Sequence, residues 1–261
     1  MEQRARAAAA LVADAWREGK VLSGLPESAR PRDEAEGYAA QAALEGALGD
    51  TVAGWKIAAT SAAGQAHIGV SGPIAGRIFG HRKHASCAAV SLSGNTMAVA
   101  EAEFAFVFAR ALPPRSAPYD TDEVMKAVAS LHPAIELPSS RFVNFASVGA
   151  PSLAADNACA HEFVLGPAST SDWRQIELAG HPVQVKVNGS LAVEGCGRDV
   201  LGDPRIALTW LVNSIPLQTR GIQVGDVVTT GVCGRPVEVV VGDRVEASFG
   251  PIGAAEVSLV E

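Results

Sequence analysis

MAVAEAEFAFVFAR, residues 97–110, places two carboxylates inside an apolar run. Successive side chains of a strand alternate faces, so this stretch read as a strand sends Glu101 and Glu103 to one surface and Phe104, Phe106 and Phe108 to the other. The phenylalanine side belongs in a core. The glutamate side is open to two readings. It is either the solvated face of an amphipathic strand or a paired-carboxylate site, because carboxylates within about 7 Å of each other repel unless a cation lies between them. A hard divalent cation, which takes oxygen ligands, would relieve that repulsion.

Upstream of this strand, TVAGWKIAAT (51–60) reads as a short strand holding Lys56, whose amine either snorkels to water or meets a buried anion. Downstream, LPPRSAPY (112–119) is held open by three prolines, and Asp120 with Glu123 caps a helix expected to run through about Ser130. HPAIELPSSR (132–141) then holds Glu136 in a short apolar strand ended by Pro138. Glu136 follows Glu103 by 33 residues, and the helix between them brings the second strand back beside the first. Three acidic oxygens plus waters would make a Mg²⁺ or Mn²⁺ site open to a bidentate substrate. His132, at the start of that strand, is a candidate to support a ligand from behind; the remaining loop histidines read as surface residues.

Composition bounds the rest. With 261 residues, 48% of them hydrophobic, the chain can bury one large core, alone or with a small cap. A net charge of −7 with no basic run argues against nucleic acid or an anionic membrane as partner and favours a small molecule. The N-terminal stretch carries charges on both sides of its alanines, and no apolar run reaches the roughly 18 residues of a membrane span. Cys87, Cys159, Cys196 and Cys233 form no CxxC pair, which fits reduced cytosolic thiols.

Helical periodicity places a first helix through Trp16 with Gly19 as its stop, and a second from about Asp33 to Leu48. Ser61 to His67 reads as one or two helical turns closed by Gly69, and GVSGPIAGRIFGHRKH (69–84) as a Gly-rich loop forming a wall or lid. SLAADNACAHEFVLG (152–166) sets Asp156 and Asn157 among alanines, where a polar pair needs hydrogen-bond partners or a ligand. Asn188-Gly189 centres a type I′ hairpin, and Asp203-Pro204 opens a helix. The remainder alternates as strand, turn, strand. A composition shift near residue 95 separates a helical N-terminal part, 1–95, from a β-rich catalytic core, 96–261, unless the two form one continuous domain.

Six separated motifs occur in order: GWKIAAT (54–60), EAEFAFVF (101–108), PAIELPSSR (133–141), ADNACAHEFVLG (155–166), VNGSLAVEGCGRDVLGDPRIALTWLVN (187–213) and VGDVVTTGVCG (224–234). Together they resemble the fumarylacetoacetate hydrolase superfamily, in its branch of 2-oxopent-4-enoate hydratases and 4-oxalocrotonate decarboxylases. The resemblance covers nearly the whole chain. It implies an α+β fold with a mixed β-roll core and an N-terminal helical part, a Mg²⁺ or Mn²⁺ site from Glu101, Glu103 and Glu136, and catalytic Lys56 and Asp156 lining that site. It further implies a cytoplasmic homo-oligomer, open to a complex with a pathway enzyme, acting on 2-hydroxydienoates or 2-oxoenoates from aromatic meta-cleavage.

In the implied chemistry the substrate's C1 carboxylate and C2 oxygen chelate the metal, an enolate is stabilised, and water adds at C4 to give a 4-hydroxy-2-oxo acid. The family's hydratases often carry an acidic residue in the loop corresponding to SGPIAGRIFG, where this chain has Ile74 and Ala75 followed by Arg77. Arg77 would then bind a second carboxylate on a larger substrate or face solvent, with Asn157 as a further substrate-binding residue. A decarboxylase would favour such a cation. An acylpyruvate hydrolase would need a His-Glu dyad on a lid, and an inactive oligomer partner would need none of these residues.

Overall fold

The computed structural model describes residues Met1–Glu261. Two helices, α1 (Glu2–Glu18) and α2 (Glu34–Leu48), precede β1 (Val52–Ala58), the short α3 (Ala62–Ile68) and β2 (Ile74–Phe79). Then come β3 (Lys83–Ala85), β4 (Ala88–Ser91), β5 (Val99–Phe108), α4 (Thr121–Ala127), β6 (Val128–Leu137), α5 (Ala150–Ala155) and β7 (Glu162–Leu165). The C-terminal part comprises β8 (Pro182–Val187), β9 (Ser190–Cys196), α6 (Pro204–Val212), α7 (Leu217–Arg220), β10 (Val227–Val232), β11 (Val237–Glu238), β12 (Arg244–Ser248) and β13 (Ala254–Val260). No helix is long and apolar enough to cross a membrane.

The strands form two mixed sheets. The larger runs β2-β1-β10-β5-β6-β7-β3 with β11 also paired to β5, and the smaller runs β4-β13-β12-β8-β9. One core of 42 buried residues joins them. From β5 it takes Ala100, Ala102, Phe104, Phe106 and Phe108, the even-numbered face anticipated from the alternation. Each fully buried phenylalanine contributes about 1.5–3 kcal/mol. The fold is therefore the expected α+β arrangement of curled mixed sheets, with α1, α2 and α5 packed together and α6 packed against α4 and β10.

Gly19, Gly69, the Asp120–Glu123 pair, Asp203 and Asn188-Gly189 act as read. Gly19, Gly49 and Gly69 end α1, α2 and α3 in the left-handed conformation, and Asp33, Ser61 and Asp203 cap the helices that follow them. Asp120 and Glu123 form a reciprocal capping box on α4. Asn188 and Gly189 both adopt positive φ, as a type I′ turn requires.

Two expectations are corrected. The helix drawn through Ser130 stops at Ala127, because Val128 and the apolar residues after it pair with β5 and extend β6 by several residues. The 69–84 segment is not a loop throughout: Ile74–Phe79 is a fully buried strand antiparallel to β1. The Gly-Pro break at 72–73 ends before it. Gly76 stands inside it because a Cβ there would lie 2.3 Å from the Asn157 carbonyl oxygen. Strands upstream of residue 95 pair with strands downstream of it in both sheets, so the composition shift does not coincide with a break in the sheets. α1 and α2 instead form a separate apolar cluster closed by Phe79, Phe142 and Ala155.

Candidate active site

Sheet register assembles the site. Glu101 on β5 lies directly opposite Glu136 on β6, and Glu103 is one pleat further along the same face. On the other side of β5, Thr229 of β10 pairs with Ala105, and Lys56 of β1 pairs with Thr229. Residues opposed across a ladder share a face, so Lys56, Thr229 and the three glutamates share one surface. Carboxylate oxygens of Glu101, Glu103 and Glu136 all lie within 4.8 Å of one another. An irregularity in β10 between Thr229 and Val232 turns Gly231 toward Glu103. The Gly231 N–H (2.7 Å) and the Thr229 hydroxyl both donate to Glu103 Oε2. Gly231 has φ +104°, and a Cβ there would meet Thr60 Oγ1 at 2.3 Å, so this turn needs glycine.

Glu103 is 0% exposed and Glu136 2%, while Glu101 borders a cavity. Lys56, 3% exposed, donates to the Ala158 carbonyl (3.0 Å) and stands 3.0 Å from Glu136 Oε1, an ion pair without hydrogen-bond alignment. Glu103 Oε1 and both oxygens of Glu136 have no hydrogen-bond partner. Buried carboxylate oxygens left bare are costly. A single lysine against three carboxylates does not balance them. The all-oxygen donor set and its bare atoms fit a hard divalent cation.

Burial, and then the neighbouring Glu136, push the Glu101 carboxyl up to about 7 against the pull of Lys56. Burial, then Glu136 and Glu101, hold Glu103 well above the ordinary carboxylate value. Burial disfavours the Lys56 ammonium, but Glu136, Glu101 and Glu103 more than offset it, so its pKa is raised. An unfolded glutamate titrates near ~4.3. A carboxyl whose pKa rises on folding favours the fold below the unfolded value, and that advantage is lost as pH rises through the folded value. In the metal-free protein these two carboxyls should therefore withdraw stability from about pH 4 to pH 7 and beyond, while His161, depressed to about 3 by burial and then by Arg141, adds stability up to about pH 6.5. A divalent cation, which binds the ionised carboxylates, should raise Tm more at pH 8 than at pH 5.5. Thermal melts with and without the cation at both pH values check this, and equal gains would remove these carboxylates from the binding.

Asp156 and Asn157 occupy a segment that crosses over β2. Asn157, Ala158 and Cys159 all adopt positive φ, at 57°, 51° and 60°. Three consecutive non-glycine residues in the left-handed region are strained and persist only when the surroundings dictate them. Asp156 supplies one anchor. It is 0% exposed, accepts from Arg141 Nε (2.6 Å) and Ser140 Oγ (2.7 Å), and Arg141 also donates to the Asp156 and Ala160 carbonyls. Asn157 supplies another: its side chain accepts from the Arg77 N–H (2.7 Å) and donates to the Arg77 carbonyl (2.9 Å). So held, Ala158 presents its carbonyl to Lys56. Asp156 and Asn157 do not line the cavity; they hold the segment that does.

Arg77 is also placed elsewhere. Its β-partner is Trp55, whereas Gly76 pairs with Lys56, so the pleat sends the Arg77 side chain to the face opposite the glutamates. It is 4% exposed, with its guanidinium 4.7 Å from the Trp55 ring centre. The expectation that it meets substrate or solvent is replaced by this buried stacking. His132 donates from Nδ1 to the Gly166 carbonyl (2.8 Å) and accepts at Nε2 from Ser130 (2.8 Å), so neither ring nitrogen bonds to a glutamate.

The cavity beside Glu101 and Lys56 has a volume of about 830 Å³. Its apolar wall includes Ile57, Ile68, Ile74, Met97, Val99 and Phe142. Polar groups on it are Thr60, Ser61, His67, Thr96 and Arg235. α3 borders it, with His67 edge-on to Phe145 at 5.9 Å. Arg235 was not singled out from the sequence. VCGRP reads as an ordinary turn, and only the pairing of β10 and β11 with β5 carries it to the site.

The chain belongs to the fumarylacetoacetate hydrolase family: residues 64–260 match the family described as fumarylacetoacetate (FAA) hydrolase C-terminal. It is 32% identical over 252 residues to 2-keto-4-pentenoate hydratase 1 of Dechloromonas aromatica (strain RCB), covering 95% of this chain and 94% of that protein. It is 30% identical over 220 residues to 2-hydroxyhexa-2,4-dienoate hydratase of Comamonas testosteroni, covering 84% and 82%. Among solved structures, 4-oxalocrotonate decarboxylase from Pseudomonas putida G7, complexed with magnesium and adipate, superimposes with a TM-score of 0.88 at 24% identity, covering 100% of this chain and 98% of that one.

Proposed function

We propose that this chain is a hydro-lyase adding water to a 2-hydroxydienoate of the 2-oxopent-4-enoate type, giving a 4-hydroxy-2-oxo acid. The observation that carries this reading is the buried cluster of Glu101, Glu103 and Glu136 with Lys56 at the polar end of an otherwise apolar cavity. The similarity to hydratases along 95% of the chain supports it. Glu101, Glu103 and Glu136 would hold Mg²⁺ or Mn²⁺, which when bound supplies positive charge where the substrate's C1 carboxylate and C2 oxygen carry negative charge.

The chain's own groups do the rest. Lys56 enters as an ammonium, fixed by the Ala158 carbonyl and Glu136, so its remaining N–H can donate to the substrate's C2 oxygen or carboxylate and hold a proton there. Moving a proton from the enol to the far end of the diene leaves an unsaturated 2-oxo acid, to which water adds at C4. Ile57, Met97 and Val99 keep bulk water off the diene, and the Thr60 and Ser61 hydroxyls are cavity groups able to orient a single water. Asp156 and Asn157 act through the Ala158 carbonyl.

Replacing Lys56 with methionine should lower kcat/KM of the metal-loaded protein about a hundredfold, the loss of one charged donor at developing negative charge, while the metal-free protein loses stability because its buried carboxylates lose their one cation. Steady-state kinetics alongside metal titration test this, and a loss under threefold would exclude Lys56 from the chemistry. The reaction itself is tested by mass balance on 2-hydroxypenta-2,4-dienoate in Mg²⁺ buffer, following ultraviolet loss, product mass and carbon dioxide. Gain of one water without carbon dioxide is the expected result. Carbon dioxide release from a substrate with a distal carboxylate would move the assignment to the decarboxylase class, which ranks second because Arg77 faces away from the cavity. Acylpyruvate hydrolysis ranks below it, since His67 has no glutamate partner on the cavity wall. Four free cysteines suit a reducing cytoplasm, and a homo-oligomer is the assembly proposed for this family member.

A further inference from the structure

Arg235 is a cation on a pinned loop that pairs with nothing. Its loop spans the interval between Val232, which pairs with Glu103, and Val237, which pairs with Ala100, so it lies across from Glu101. Every neighbour of Arg235 is held. The Cys233 N–H donates to the Ala102 carbonyl (2.9 Å), and the Gly234 N–H donates to Asp199 Oδ2 (2.9 Å), which also accepts from the Cys196 N–H (2.8 Å). Gly234 has φ +85° with a built Cβ only 2.8 Å from Val193, and Pro236 fixes the backbone on the other side. Arg235 is exposed, its guanidinium has no hydrogen-bond acceptor and no carboxylate within 4.0 Å, and it borders the same cavity as Lys56 and Glu101. Arg141, Arg205, Arg220 and Arg244 are paired with carboxylates, whereas the exposed Arg198 shares the lack of a partner but borders no part of this cavity.

Charge counting gives this free guanidinium a task. Three glutamates and Lys56 sum to −2, and a divalent cation brings the cluster to neutrality. An anionic substrate bound there then leaves the polar end of the cavity with net negative charge, which Arg235, the other arginine or lysine bordering it, is placed to offset. Resting on the reading of the site given above, we infer that Arg235 binds the carboxylate of the substrate at the metal end. A rigid guanidinium fork on a preorganised backbone is suited to bidentate carboxylate binding, and the cavity's apolar walls, Ile68, Ile74, Met97 and Phe142, are left to the hydrocarbon tail.

The probe is oxalate, a two-carbon dianion with no tail, bound to the Mn²⁺-loaded protein and followed by calorimetry. The expected result is that Arg235→Gln weakens oxalate about 10- to 100-fold, Arg235→Lys falls between it and wild type, and the affinity for Mn²⁺ alone changes less than about twofold. The dienoate's KM should rise in parallel while kcat holds. Unchanged oxalate affinity in Arg235→Gln, or no oxalate binding to the loaded wild type, overturns the inference. So does a defect confined to dienoates with a distal carboxylate, which would assign Arg235 to the tail. A parallel fall in Mn²⁺ affinity and Tm would overturn it in favour of a structural role for the loop. If the wild type turns over no dienoate yet oxalate still depends on Arg235, hydration fails and the carboxylate site stands.

Discussion

Glu136→Gln is expected to lower kcat/KM at least about a thousandfold and divalent-cation affinity about a hundredfold or more, while leaving the metal-free protein folded and no less stable. Both Glu136 oxygens lack hydrogen-bond partners, so the amide breaks no bond that builds the fold. Its charge is another matter. Glu136 lies opposite Glu101, within reach of Glu103, and beside Lys56. Removing it leaves two carboxylates against one ammonium, relieving repulsion in the metal-free protein and taking away one of three ligands. Calorimetric metal titration, melts without metal and steady-state rates separate these consequences. A variant that kept both metal affinity and rate would show that the cluster is not the reacting centre. One that lost stability in the metal-free state would show that Glu136 serves the fold through Lys56.

Asp156→Ala should cost about 3–5 kcal/mol of stability, because it strands the buried Arg141 without its anion. For a protein of this size that corresponds to a Tm drop of roughly 6 to 20 °C. Asp156→Asn, which keeps one oxygen to accept from Arg141 Nε and turns an NH₂ toward the Ser140 hydroxyl, should lose less stability than the alanine variant, and replacing Asp156 and Arg141 together by apolar residues should recover much of the loss. Activity should follow the fold here. The Asp156 carboxylate meets Arg141 and Ser140 rather than the cavity, and its effect on chemistry passes through the Ala158 carbonyl that fixes Lys56. A well-folded Asp156→Asn protein with normal Tm and a rate reduced more than about a hundredfold would return Asp156 to the catalytic role expected from family resemblance. Chemical denaturation and kinetics on the same preparation decide it.

Sequence alone determined the parts governed by local rules. Alternation in EAEFAFVF put two glutamates on one face and three phenylalanines on the other, because the side-chain period of a strand is two. The caps at Asp120 and Asp203, and the turn at Asn188-Gly189, were legible because a short polar side chain or a positive φ satisfies backbone groups within a few residues. The ordered motifs identified the family, and Lys56 with the three glutamates formed the candidate centre.

Only the tertiary structure decided what depends on pairing. Whether IAGRIF is loop or strand turned on β1 lying beside it and on Gly76 leaving room for the Asn157 carbonyl. A single step of register separates Gly76, on the site face, from Arg77, stacked on Trp55. Asp156 and Asn157 were recognised as polar groups needing partners, but that those partners are Arg141 and the Arg77 backbone follows from chain segments that meet across the fold. Arg235 reaches the cavity because β10 and β11 pair with β5 on either side of it, a contact between residues more than a hundred positions apart. Short-range chemistry writes the elements into the sequence. Which face a charge occupies, and what it meets there, is fixed by hydrogen-bonded register between distant strands.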